Sequence, residues 1–306
     1  MSTTQGFSEP LPGYMLARLT DAAYASLTKL EDFYDLLVVW EEPRRHDSRY
    51  VVSADVSSGI GEDRCCVEVT RIPTVKDPAE QVAQFVSLQV DPLALAYIVD
   101  AVGRYYTGDD GQEALVAVEV NGLGISTVLE LQQHLAYSNL YIRREPDEAD
   151  PSKLTTKIGW NTSKRTRPLI LGRYARKVRT IDPNTMIPDY KINSPFTIEE
   201  LRDFRVPEGK LALWEGEAAP GGYDDCMMAG AIGIHVADTI AHEMGESVDD
   251  KRRRLSAEQA RRHVESLKTG DRADFRNTDW TEDEVDGFDF YSADQVYDDG
   301  YGSLDE

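Results

Sequence analysis

Ala114-Leu115-Val116-Ala117-Val118-Glu119 is the stretch on which the fold turns. Five apolar residues in a row, with Thr107–Gln112 before them and Gly122 and Gly124 after, read as a strand buried on both faces. Such a strand belongs in a sheet covered by helices on each side. The run closes on a carboxylate, Glu119, where little solvent is expected.

Upstream of it, Asp91-Pro92 reads as an N-cap and first helical residue, and Leu95, Ile98, Val99, Val102 and Tyr106 follow at helical spacing. Before that come three probable strands. Tyr50–Asp55 also stops at a carboxylate, the turn-rich loop SSGIGED leads to Cys65–Val69, and Gln81–Ser87 follows. Three- and four-residue steps through Leu16, Leu19, Ala23, Leu27, Leu30, Phe33 and Leu36 predict a helix that ends near Glu42-Pro43. Downstream, Ile125, Val128, Leu129, Leu131 and Leu135 predict a helix, and a strand is expected near Leu140–Ile142. The next helices are expected over Arg167–Arg179 and Thr197–Phe204, with an apolar strand at Leu211–Trp214. The turn Pro220-Gly221-Gly222-Tyr223 then delivers Asp224-Asp225 to a long helix running through His242. The order β-β-β-α-β-α-β, then a late helix, is that of an α/β protein with a mixed central sheet flanked by helices. The expected organisation is a helical arm over 1–49, the sheet domain over 50–244, and a charged helix with an acidic, unstructured tail over 245–306.

Composition narrows the function. No window approaches roughly 18 consecutive apolar residues, and the N-terminus lacks the basic start and apolar stretch of a signal peptide, so neither a membrane nor a secreted location is expected. Cys65, Cys66 and Cys226 have no zinc spacing and make no disulfide framework. The formal charge of −22 is unevenly spread. From Asp271 onward thirteen acids stand against two arginines, whereas Pro151–Ile181 holds nine basic residues and no acid. A basic island in an acidic chain is the footprint of a polyanion partner, although a solvated helix face has the same composition. The acidic tail is either an inert extension or a strip that competes with that partner.

Three carboxylate features stand at element ends: Asp55, Glu119 and the pair Asp224-Asp225. Two neighbouring parallel strands would bring Asp55 and Glu119 to about 5 Å at the backbone. A helix start aimed at the same sheet end can add a third carboxylate, with the small residues Ala229, Gly230, Ala231 and Gly233 allowing close approach. Converging carboxylates repel unless cations neutralise them, and oxygen-only ligands suit Mg²⁺ or Mn²⁺. Two such ions roughly 3.5–4 Å apart form the clamp for in-line attack on a phosphodiester. Taken singly, each acid has a plain alternative: a strand-end Asp is often a turn former, and Asp224-Asp225 can simply cap their helix. Other motifs fail. His242-Glu243 is followed by Glu246 where a zinc protease motif needs His, and Gly59-Ile60-Gly61 lacks the third glycine of a dinucleotide fingerprint.

The stretches Tyr50–Gly59 with Asp63, Val118-Glu119-Val120-Asn121-Gly122-Leu123-Gly124, Asn139-Leu140-Tyr141, Ile158–Thr162 with Thr166-Arg167-Pro168, and Gly222–Ala229 occur in an order that resembles the nuclease domain of the tailed-bacteriophage terminase large subunit. The likeness covers roughly residues 40–245. It implies an RNase H-like fold and metal-dependent cutting of concatemeric viral DNA. It further implies Asp55, Glu119 and one or both of Asp225 and Asp224 as catalytic metal ligands for Mg²⁺ or Mn²⁺, two ions in all, with Asp63 as a supporting acid nearby. Lys157, Lys164, Arg165, Arg167, Arg173 and Arg176 would hold the phosphate backbone of double-stranded DNA. The partners it implies are a packaging ATPase, a small terminase subunit and a portal, met at the prohead in the host cytoplasm. Two features depart from the family. Tyr223 stands where many relatives have His, and no G-x-x-x-x-G-K-[ST] occurs, since Lys29 and Lys210 lack the preceding glycines, so a nuclease part without its motor is expected. Two other readings share the residues: another RNase H-like enzyme, such as a junction resolvase or a DDE-type recombinase, and a non-catalytic packaging or regulatory module.

Overall fold

In the computed structural model, which describes residues 4–6, 17–19, 29–44, 49–74, 76–108, 111–146, 153–206, 216–243, 255–258 and 260–262, the chain starts with β1 (Thr4–Gly6), β2 (Ala17–Leu19) and β3 (Leu36–Val39). A 3-10 turn over Leu30–Phe33 precedes β3. The helix expected across Leu16–Leu36 is thus corrected to strand, 3-10 turn and strand in its described parts. Asp35 adopts φ 60°, which interrupts any helix, and the run Leu36-Leu37-Val38-Val39 pairs antiparallel with a long neighbour, Leu37 opposite Phe85. Cross-strand pairing overrides a spacing that fits either structure.

The remaining elements follow the expected sequence. They are β4 (Tyr50–Asp55), β5 (Cys65–Arg71), β6 (Ala79–Ser87), α1 (Pro92–Tyr105), β7 (Leu115–Val118) and α2 (Gly124–Gln133). Next come β8 (Ile142–Pro146), β9 (Leu154–Ile158), α3 (Thr166–Arg179), β10 (Tyr190–Lys191), α4 (Pro195–Asp203) and α5 (Asp225–Glu243). The strand expected near Leu140–Ile142 is a bridge at Leu140 followed by β8, whereas β9 and β10 are not legible as strands; β9 lies in a basic stretch with little apolar alternation. The expected strand at Leu211–Trp214 and the tail lie outside the described residues. The chain divides into a unit of residues 1–257 and a second of 258–306. All the named elements lie in the first; of the second, residues 258 and 260–262 are described, and they are helical.

The described strands run in the order β1-β2-β3-β6-β5-β4-β7, with β10 beside the start of β6. β4, β5 and β6 form an antiparallel meander. β7 lies parallel to β4, as a crossover through a helix requires. Its outer side is not bare: Val116 N–H donates to Asn139 O at 2.9 Å and Trp160 N–H to Val118 O at 2.7 Å. This is a mixed sheet flanked by helices.

Alternation along the strands divides the two faces. Tyr50, Val52 and Ala54 of β4, with Val116 and Val118 of β7, pack in one cluster with Leu95, Ile98, Val99 and Val102 of α1 and Val128 and Leu131 of α2. Val51 and Ala117 fall in the opposite cluster, with Ile170, Leu171 and Tyr174 of α3 and Met228, Ala231 and Ile232 of α5. Each fully buried Leu or Ile is worth about 1.5–3 kcal/mol. The same parity puts Asp55 and Glu119 on the face covered by α5.

Candidate metal centre

Asp55 is the last residue of β4 and Glu119 follows β7 directly. The strands are in register, Ala54 opposite Val118, and the Glu119 N–H donates to Ala54 O at 2.8 Å. The loop after Glu119 is tightly built. A Cβ on Gly124 would fall 1.7 Å from Glu119 O, so only glycine fits there. Asn121 ties this loop to the segment before α3, accepting from Thr162 N–H at 2.9 Å and donating to Thr162 O at 2.5 Å.

The two carboxyl groups touch: Asp55 and Glu119 share a side-chain hydrogen bond. Burial, then the charge of Glu119, then those of Asp225 and Asp224, hold the Asp55 carboxyl well above the usual carboxylate range. Burial and the neighbouring acids Glu200, Asp224 and Asp63 push Asp225 up to about 7, against one opposing hydrogen bond from the Arg64 backbone. Glu119, Asp225 and Asp224 therefore all lie within electrostatic reach of Asp55, at one end of the sheet. They do not close into a ligand cage. Among the described residues, no three His, Cys, Asp or Glu side chains are gathered closely enough to hold an ion. Asp224 is held by Arg167, Oδ2 to Nη2 at 3.1 Å, and Asp225 Oδ2 accepts the Arg64 N–H at 3.3 Å. The expected meeting of all three stretches is thus a touching pair with two acids close by. Asp63 is exposed, on the loop leading to Arg64.

The donor set suits a hard divalent cation. It is made of carboxylate oxygens alone, and the charges acting most strongly on Asp55 are all negative. A cation would supply the missing counter-charge. The small residues at the start of α5 do what their size allows: a Cβ on Gly230 would meet Glu68 Oε1 at 3.0 Å, and one on Gly233 would meet Ser53 Oγ at 2.7 Å.

The basic island splits into two groups. Lys157, Lys164, Arg165 and Arg176 are exposed, Lys157 within 3.5 Å of Glu145, and the Asn121–Thr162 bonds put the turn carrying Lys164 and Arg165 next to the Glu119 loop. Arg167 and Arg173, expected as phosphate contacts, are half-buried and engaged within the chain. Arg167 bonds Asp224 and Gly216 O at 3.2 Å, and Arg173 bonds His235 O at 3.2 Å and lies 3.8 Å from Asp238. Lys177 is buried against Asp238 at 2.7 Å. Charge counting could not separate these, because an island of cations looks the same in sequence whether it faces solvent or the acids of a neighbouring helix. The Arg64 guanidinium lies over the Tyr223 ring, with Cζ 4.0 Å from the ring centre. Sequence reading missed both Arg64 and Glu200, an ion pair at 2.7 Å beside the start of α5.

A cleft of about 180 Å³ lies at the other end of the sheet, by Arg49, Tyr50 and Leu115, the starts of β4 and β7, away from the carboxylates. No described helix is long and apolar enough to cross a membrane.

No family model matches the sequence, and no curated protein matches it. Among solved structures, the chain is similar to the large terminase nuclease of thermophilic phage G20c with bound magnesium, at 16% identity and a TM-score of 0.46 over 65% of this chain and 86% of that one. The same nuclease with bound cobalt gives 15% and 0.45 over the same shares. The large terminase nuclease domain of bacteriophage SPP1 with bound Mn gives 9% and 0.37, over 74% of this chain and 98% of that one. These solved structures are nucleases of phage large terminases.

Proposed function

We propose that this chain is a metal-dependent endodeoxyribonuclease that cuts concatemeric viral DNA during genome packaging. One observation carries the reading: the Asp55–Glu119 pair at the sheet end, with Asp224 and Asp225 beside it. Asp55, Glu119 and Asp225, with Asp224 alongside, are the residues to hold two Mg²⁺ or Mn²⁺ ions. When bound, such ions supply the Lewis acidity for in-line hydrolysis of a phosphodiester. The chain's own part is to fix the ligands on two paired strands and one helix start, and to hold the duplex. Lys164 and Arg165 on the turn beside Glu119, with Lys157 and Arg176, contact phosphates and position the duplex without reading bases. A packaging ATPase, a small terminase subunit and a portal are the proposed partners.

Asp55→Asn and Glu119→Gln are expected to abolish nicking of supercoiled plasmid in Mn²⁺ while circular dichroism stays that of the wild type. Undiminished nicking by either variant sinks the assignment. The raised Asp55 pKa adds a second readout. Ion uptake must displace its proton, so Mn²⁺ affinity rises with pH, and the calorimetric binding enthalpy varies with the ionisation enthalpy of the buffer. A buffer-independent enthalpy argues against ligation by this pair.

The Asp224–Arg167 bond, and a carboxylate set not closed into a cage, favour a second reading: a non-catalytic module that keeps the fold. Calorimetric titration of the wild-type chain with Mn²⁺ separates the two, since the module takes up no ion.

A further inference from the structure

The first turn of a helix leaves four backbone N–H groups without partners inside the helix, and an Asp at the start ordinarily accepts one of them. At the start of α5 both aspartates turn elsewhere, Asp224 to Arg167 and Asp225 to the Arg64 N–H. The cap comes from a different element. Glu200 of α4, buried at 2% exposure, accepts the Met227 N–H through Oε2 at 2.8 Å. Its Oε1 takes Arg64 Nη1 at 2.7 Å. Arg64 is itself buried and held on every side. Its Nε donates to the Tyr34 hydroxyl at 2.8 Å, Nη2 reaches Glu199 at 3.4 Å, and the guanidinium lies over the rings of Tyr223 and Phe196, at 4.0 and 5.0 Å.

Resting on the metal-site reading above, we propose that Glu200 and Arg64 are a positioning pair for the ligands at the start of α5. Glu200 caps the helix from outside and so releases the carboxylates of Asp224 and Asp225 from that task. Arg64 locks Glu200 in place and, through its backbone N–H, sets the direction of the Asp225 side chain. Stability alone is a poor reason for such an arrangement. A buried ion pair is often no better than well-packed apolar residues of the same volume, and Asp224 stands where it could cap the helix by itself.

The test uses the full chain. In Glu200→Gln, one of the two oxygen positions becomes an NH2 donor, so either Arg64 Nη1 or the Met227 N–H faces a donor in place of its acceptor. Its Mn²⁺ affinity by calorimetry is expected to fall about tenfold, the low end of the effect of removing groups that orient metal ligands. DNA affinity measured in EDTA is expected to stay at the wild-type value. Arg64→Met, which removes the lock and keeps the backbone N–H, is expected to lower Mn²⁺ affinity as well, and the double variant is expected to bind no more weakly than Glu200→Gln alone. A purely structural role moves the thermal midpoint without this pattern. Wild-type Mn²⁺ affinity in folded Glu200→Gln, or losses from Glu200→Gln and Arg64→Met that add in the double variant, overturns the proposal. A wild-type chain that takes up no Mn²⁺ instead overturns the metal-site reading itself, and the pair with it.

Discussion

Glu68, in the middle of β5, is buried, and its hydrogen bonds come from the neutral side chains of Tyr190, Gln81 and Gln84. Burial pushes its pKa up to about 7, against hydrogen bonds from Tyr190, Gln81 and Gln84 that favour the charged form. A folded-state pKa above the unfolded value near 4.5 means that the native protein binds this proton more tightly. The stabilisation is complete below the unfolded pKa and is lost as pH rises through about 7. On the order of 3 kcal/mol is involved. Asp225, also raised to about 7, acts in the same direction. The Glu68→Gln variant is therefore expected to lose less stability than the wild type between pH 5 and pH 8, as urea unfolding at the two values would reveal. Equal losses would mean that Glu68 is not the titrating group. His235 leans the other way. Burial, with Arg173 nearby, lowers its pKa to about 4, so it is neutral at pH 7. Its ring lies 4.9 Å from that of Trp160, which makes it a packing residue.

Element by element, what matters is how closely a helix can approach a sheet. α5 lies on β4 and β5 at a separation only glycine permits, because a Cβ at position 233 would stand 2.7 Å from Ser53 Oγ and 3.0 Å from Thr70 Oγ1. Gly233→Ala is expected to destabilise the fold by about 1–3 kcal/mol through overpacking. It should also lift the helix start, so Mn²⁺ binding weakens together with the denaturation midpoint. A midpoint unchanged in guanidinium would show that the sheet can yield. α1 illustrates the opposite case, an element fixed locally. Asp91 Oδ1 accepts from Leu93 and Ala94 N–H at 2.9 and 3.0 Å, and Pro92 takes the first helical position. Asp91→Ala is expected to cost about 1 kcal/mol, measurable by denaturant unfolding, with no effect on Mn²⁺ affinity.

For the molecule as a whole, charge is sorted by where the fold points it. Reversing Lys164 and Arg165 to Glu is expected to weaken duplex binding and to reduce the slope of log K against log salt by about 0.9 per lost phosphate contact. An unaltered slope would remove this turn from the DNA face. Arg167→Glu would do something different, because it breaks the bond to Asp224 and puts a further acid beside the cluster. Its effect should appear in Mn²⁺ affinity before it appears in DNA affinity. Much of this protein was legible in its residues. The apolar run into Glu119, the strand ending at Asp55, the cap at Asp91-Pro92 and the small-residue helix after Asp224-Asp225 are local signals. Each depends on periodicity, on turn chemistry or on a carboxylate placed against an apolar background, and the three groups of acids follow from them. The tertiary structure alone decided the rest. It turned Leu36–Val39 into a strand because β6 offered an edge to pair with, and it chose which cations of the basic island face acids and which face solvent. It also brought Glu200 across from α4 to cap α5. These are pairings between segments far apart in the chain, and spacing along one segment carries no information about the partner that will reach it.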